Sequence, residues 1–75
     1  MDIQVEKQGK FHIVRVDNKT IGHIEQPYND MDLYMVSGWN GETLAIGDSF
    51  VIRDFEAAKE RIITHYENEM EVLKG

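Results

Sequence analysis

The sequence contains no cysteine and a single proline, Pro27. Without thiols there is no disulfide to restrict the unfolded chain and no thiolate to hold a metal. The absence also fits a reducing compartment. No apolar run approaches the roughly 20 residues needed to span a bilayer, and Met1-Asp2-Ile3-Gln4-Val5-Glu6 lacks a basic segment leading into an apolar one. A soluble, cytoplasmic protein without a membrane partner is expected. Lys and Arg are missing from Thr20 to Ile52, a stretch that carries Glu25, Asp30, Asp32, Glu42 and Asp48. Binding to a phosphate backbone needs clustered cations that release counterions, so direct nucleic-acid binding is not expected.

What is present is enough for one small core. Hydrophobic residues make up 41% of the 75-residue chain, near the globular average, which argues against wholesale disorder. A chain of this length buries roughly 60% of its unfolded surface, so a single domain over residues 1–75 is expected, without an extended catalytic cleft. The net charge of −6 is unevenly spread: the first 19 residues carry a small positive excess, residues 53–61 are balanced, and the surplus lies in Glu25 to Asp48 and near the C-terminus. A small acidic domain of this kind can face a basic surface on a protein partner.

The apolar pattern predicts α+β architecture. Ile3 and Val5 alternate with Gln4 and Glu6, Gln8-Gly9-Lys10 interrupts, and Phe11 to Val16 resumes as a strand. Asp17-Asn18 suits a type I′ hairpin, because both central positions of that turn need positive φ. With Thr20 to Glu25 returning, the register places Val16 opposite Lys19, Val14 opposite Ile21, His12 opposite His23 and Phe11 opposite Ile24. Met31 to Ser37 reads as a fourth strand, and Asn40-Gly41 leads into a fifth at Glu42 to Ile46. Asp54 is placed to cap a helix from Phe55 to Leu73, with Phe55, Ile62, Tyr66 and Leu73 in one line and Ala58, Ile63 and Met70 beside it. The expectation is an antiparallel β-meander of four to five strands with the C-terminal helix packed on one face.

Chemistry is sparse by comparison. His12 and His23, with Glu25, are the nearest approach to a zinc site, and two strand histidines without a third ligand at motif spacing are weak evidence for one. His65 falls on the flank of the helical stripe and reads as a boundary residue. Ser37 and Ser49 sit beside Gly or Asp in turns, without the surroundings of a nucleophile. Asp30, Asp32 and Glu42 lack the ligand order of a calcium loop. No catalytic residue, metal or cofactor is therefore assigned.

Apolar residues on both faces of the expected sheet carry more information. Phe11 and Ile13 oppose Val14 and Val16, while Met31, Leu33 and Met35 oppose Tyr34 and Val36. Either one face is left for a partner, or the sheet curls and buries part of both. If the helix covers the Phe11 and Ile13 face, Tyr34 and Val36 remain available. With the turn residue Trp39 and the acids Asp30, Asp32 and Glu42, they would form a surface for a basic, partly apolar protein. The far end of the helix, through Tyr66, Met70 and Leu73, is a possible contact between two copies of the chain. In size, acidity and lack of cysteine the chain resembles many small proteins of bacteria and their phages, some of which inhibit host enzymes by occlusion. That resemblance rests on size and style, and implies a small binding protein, one version of which is an inhibitor of a host nucleic-acid enzyme. A structural homodimer is the alternative, and a small metal-dependent enzyme the last.

Overall fold

A computed structural model describes the backbone of residues 2–74 and the side chains of residues 2–71. Five strands, β1 (Ile3–Gln8), β2 (Phe11–Val16), β3 (Lys19–Glu25), β4 (Met35–Gly38) and β5 (Thr43–Leu44), form one antiparallel sheet in chain order, followed by the helix α1 (Phe55–Lys74). This is the expected α+β meander with its C-terminal helix on one face. The sheet stays open, and the order β1-β2-β3-β4-β5 leaves β1 and β5 at its edges. Among the described residues the sheet does not close into a barrel.

Turn chemistry sets the first two hairpins. Gly9 has φ of 61° in the two-residue loop between Gln8 and Phe11. Asp17 and Asn18, at 52° and 68°, both adopt the positive φ that the I′ loop demands. Beyond that loop the expected register fails. Val16 faces Lys19 and Arg15 faces Thr20, but Val14 faces Gly22, leaving Ile21 as the extra residue of a β-bulge. Every later pair is displaced, so Ile13 faces His23 and His12 faces Ile24. His12 and His23 consequently project from opposite faces, which dissolves the one histidine pair considered for zinc.

The fourth and fifth strands are shorter than expected, Met35–Gly38 and Thr43–Leu44 rather than Met31–Ser37 and Glu42–Ile46. Tyr34 instead pairs separately with Ile52, its N–H donating to the Ile52 carbonyl at 2.8 Å and its carbonyl accepting the Ile52 N–H at 2.9 Å. That bridge ties the segment entering the helix to the sheet. At the helix start the Asp54 carboxylate accepts the Glu56 N–H at 3.3 Å and the Asp54 carbonyl accepts the Ala58 N–H at 3.0 Å, the arrangement of an N-cap.

The helix packs chiefly on β3 and β4 and covers the Val14 and Val16 face. Val14, Val16, Ile21, Ile24, Tyr34, Val36, Leu44 and Ile52 meet Ala58, Ile62 and Ile63 there, with Phe55, Ala57 and Tyr66 packed around them. Two glycines decide how closely helix and sheet approach. Gly22 and Gly38 face each other across β3 and β4, and a Cβ on Gly22 would lie 2.6 Å from Ile62 Cγ2 and 2.7 Å from the Ser37 carbonyl oxygen. The missing side chains create a notch that receives Ile62 and, one turn on, His65. Arg61 locks the approach by donating its Nε–H to the Ala45 carbonyl at 2.8 Å. Among the described residues no helix is long and apolar enough to cross a membrane.

Candidate functional site

The choice of covered face relocates the expected site. Val36 has no exposure and Tyr34 only 7%, because the alternation that places Met35 outward turns both of them toward the helix. They are core residues and are corrected out of the partner surface. The Tyr34 ring lies edge-on to Phe55, centroids 5.5 Å apart, and Phe55 also meets the His12 ring, centroids 4.9 Å apart. The Tyr34 hydroxyl donates to Asp32 Oδ1 at 3.4 Å. Burial pushes the Tyr34 phenol above its ordinary pKa, and the Asp32 carboxylate adds to the shift by disfavouring a second negative charge beside it.

The remaining members of that expected surface are Trp39, Asp30, Asp32 and Glu42, all exposed. Trp39 caps no core; it stands in the β4–β5 loop, where the Gly41 N–H donates to the Gly38 carbonyl at 3.0 Å and the Glu42 N–H to Asn40 Oδ1 at 3.1 Å. Glu42 is directed at the helix: one ligand atom from each of Glu42, His65 and Glu69 lies within 4.8 Å of the others. Of the expected contact between copies, Tyr66 is half-buried against the core with the Lys19 ammonium 5.8 Å from its ring centroid, and Met70 is half-buried. The Leu73 side chain lies outside the described residues.

The uncovered face supplies what the covered one withdraws. β-Pleating puts Gln8, Phe11, Ile13, His23, Met35 and Ser37 on the side away from the helix. Gln8, Phe11, Ile13, His23 and Ser37 line an open hollow of about 340 Å³. Phe11 and Met35 are 39% and 41% exposed, and Ile13, two residues beyond Phe11 on β2, is half-buried. Ion pairs stand at the rim: Arg15 with Glu6, and Lys10 with Glu25 at 3.6 Å. The Gln8 side-chain amide, donating to Glu6 at 3.2 Å, and the Arg15 guanidinium together hold the Glu6 carboxyl below its usual range.

His23 and Ser37 are direct cross-strand neighbours in this hollow, yet no hydrogen bond joins them among the described residues. The hollow thus offers apolar contact with a few polar groups for orientation, and no nucleophile held against a base. Sequence alternation alone distinguishes the two faces but not which one the helix takes, so Phe11, Ile13 and Met35 carried a legible signal with the wrong destination. Comparison with protein-family models, curated proteins and solved structures finds no match to this chain.

Proposed function

We propose that this chain is a small non-enzymatic binding module that receives an apolar segment of a partner protein on the open face of its sheet. The supporting observation is the exposed pair Phe11 and Met35, with half-buried Ile13, on the face that carries the 340 Å³ hollow and that no element covers among the described residues. Exposed apolar surface of this type marks interaction sites, because its burial by a partner releases the free energy that folding left unused. A partner that also carries basic groups is preferred, since Asp30 and Asp32 are exposed acids in the stretch that lacks Lys and Arg. Occlusion of a partner enzyme's own basic site is one way such a module acts.

The test is capture of partners from a bacterial lysate by immobilised wild-type chain and by a Phe11→Ser, Met35→Ser variant whose circular dichroism is unchanged. Wild type is expected to retain a partner that the variant loses, with capture weakened at high salt. A partner held equally by both would overturn the assignment to this face. A Trp39→Ala, Asp32→Lys variant then asks whether the acidic loop contributes.

A second reading, a homodimer, is favoured by β1. Its outer edge has no strand partner among the described residues, and Ile3 and Val5 are exposed on the helix side of the sheet. Sedimentation at micromolar concentration separates the two readings, a clean monomer removing the second.

A further inference from the structure

We propose that Glu42, His65 and Glu69 form a binding site for a divalent ion of the zinc class, placed where the β4–β5 hairpin meets the helix. His65 and Glu69 are four residues apart on α1 and so share one face, with His65 Nε2 standing 3.8 Å from Glu69 Oε1. Glu42 comes from the opposite side, and the three ligand atoms all lie within 4.8 Å of one another.

The second observation is His65 itself. It is 9% exposed, and its Nε2 is buried without a hydrogen-bond partner among the described residues. A buried ring nitrogen left unpaired is costly and calls for a ligand. The backbone is cut to admit this ring: a Cβ at Gly38 would lie 2.8 Å from His65 Cδ2 and 2.9 Å from Nε2. No side chain other than hydrogen fits there without moving the imidazole. The Arg61 bond to Ala45, one turn earlier on the same helix face, holds hairpin and helix at this separation.

The donor set selects the ion. Magnesium and calcium prefer sites made wholly of oxygen, whereas zinc accepts imidazole nitrogen together with carboxylate. Two carboxylates beside a neutral imidazole leave two negative charges, which a dication balances. A tetrahedral zinc with bonds of about 2.1 Å holds its ligand atoms about 3.4 Å apart. The Nε2 to Oε1 distance is already close to that, and the rotatable side chains of exposed Glu42 and half-buried Glu69 can close the remainder. Three protein ligands leave the fourth position to water.

The competing occupant of Nε2 is a proton, with His65 then paired to Glu69 alone. Titration of chelator-treated protein with ZnCl₂ by calorimetry, followed by imidazole ¹⁵N spectra, distinguishes the two. One zinc per chain is expected, with the His65 ring nitrogen displaced in the spectrum and a raised melting temperature. Glu42→Gln and Glu69→Gln, at an exposed and a half-buried position, should each weaken binding by about tenfold or more while the fold persists, a loss at least that of disturbing an outer-shell group. His12→Asn and His23→Asn should leave stoichiometry and affinity unchanged. Absence of saturable binding up to millimolar zinc would overturn the site, as would binding that survives both glutamate substitutions or that maps to His12 or His23.

Discussion

On the face beneath the helix, Ile24 and Val36 are fully buried, whereas on the opposite face of the same sheet Met35 and Phe11 keep about two-fifths of their surface. The two sets are similar in size and chemistry, and they alternate along the chain, so composition does not separate them. What separates them is that one helix can cover only one face, and the Gly22–Gly38 notch exists on that face alone. Close approach is permitted where side chains are missing, and there the helix lodges Ile62 and His65. The apolar residues that the helix leaves behind on the other face are the ones that remain free for a partner. Fold and proposed function therefore come from the same asymmetry: a core that takes the apolar residues of one sheet face and leaves those of the other.

Replacing one large residue from each side breaks or sharpens this contrast most directly. Ile62→Ala removes a fully buried side chain seated over Gly22 and is expected to cost about 2–5 kcal/mol. For a domain of this size that is a large part of the total stability, so chemical denaturation should show a strongly lowered midpoint. Phe11→Ala, on the open face, should cost about 1 kcal/mol or less, since part of the ring is already in water. Equal losses for the two would mean that both faces are buried in solution, as in a dimer closed over the open face.

A smaller effect separates the faces by pH. Tyr34, on the covered side, has its phenol pKa raised above 10.0 by burial and by Asp32. Its folded-state value exceeds its unfolded one, so between the two the native state holds more protons than the unfolded state. The stabilisation is fully present below the unfolded pKa and is lost as pH rises through the folded value. The melting temperature should fall as pH climbs above 10, and Tyr34→Phe should flatten that decline.

Much of this could be read from the residues before any coordinates. The Asp17-Asn18 loop, the Asp54 cap and the stripe Phe55, Ala58, Ile62, Ile63 and Tyr66 are local features, each set by φ preference, capping or helical period, and each is present. The bulge at Ile21 is different. Nothing within β3 announces it, because the extra residue is accommodated by tertiary packing that buries Ile21 completely. Its consequence reaches far: His23 moves to the open face and away from His12. Tyr34 and Val36 were misplaced for a related reason, since alternation is symmetric between faces and only the position of the helix breaks the tie. His65 looks like a flank residue on a helical wheel. Its burial depends on Gly38, which reads as a turn residue until the β3–β4 register sets it opposite Gly22. A pair of glycines brought face to face by register was the signal available, and using it needed the bulge first.

The smallest effect is expected at Glu6, the open face's counterpart to Tyr34. Its carboxyl is held below 4.5 by the Gln8 amide and then by the Arg15 guanidinium, so its folded-state pKa lies below the unfolded one. The sign is therefore opposite to that of Tyr34: the contribution is present above the unfolded value and is lost as pH falls through the folded one. Because Glu6 is exposed, solvent screens both partners, and the contribution to stability should be slight. Glu6→Gln should leave the melting temperature at neutral pH nearly unchanged, and the wild-type carboxyl resonance should titrate at lower pH than that of an unstructured glutamate. If Glu6→Gln instead produced a loss comparable to Ile62→Ala, the rim of the hollow would be carrying structure rather than bordering a free surface. The open face would then have to be counted with the core, leaving no apolar surplus for a partner to cover.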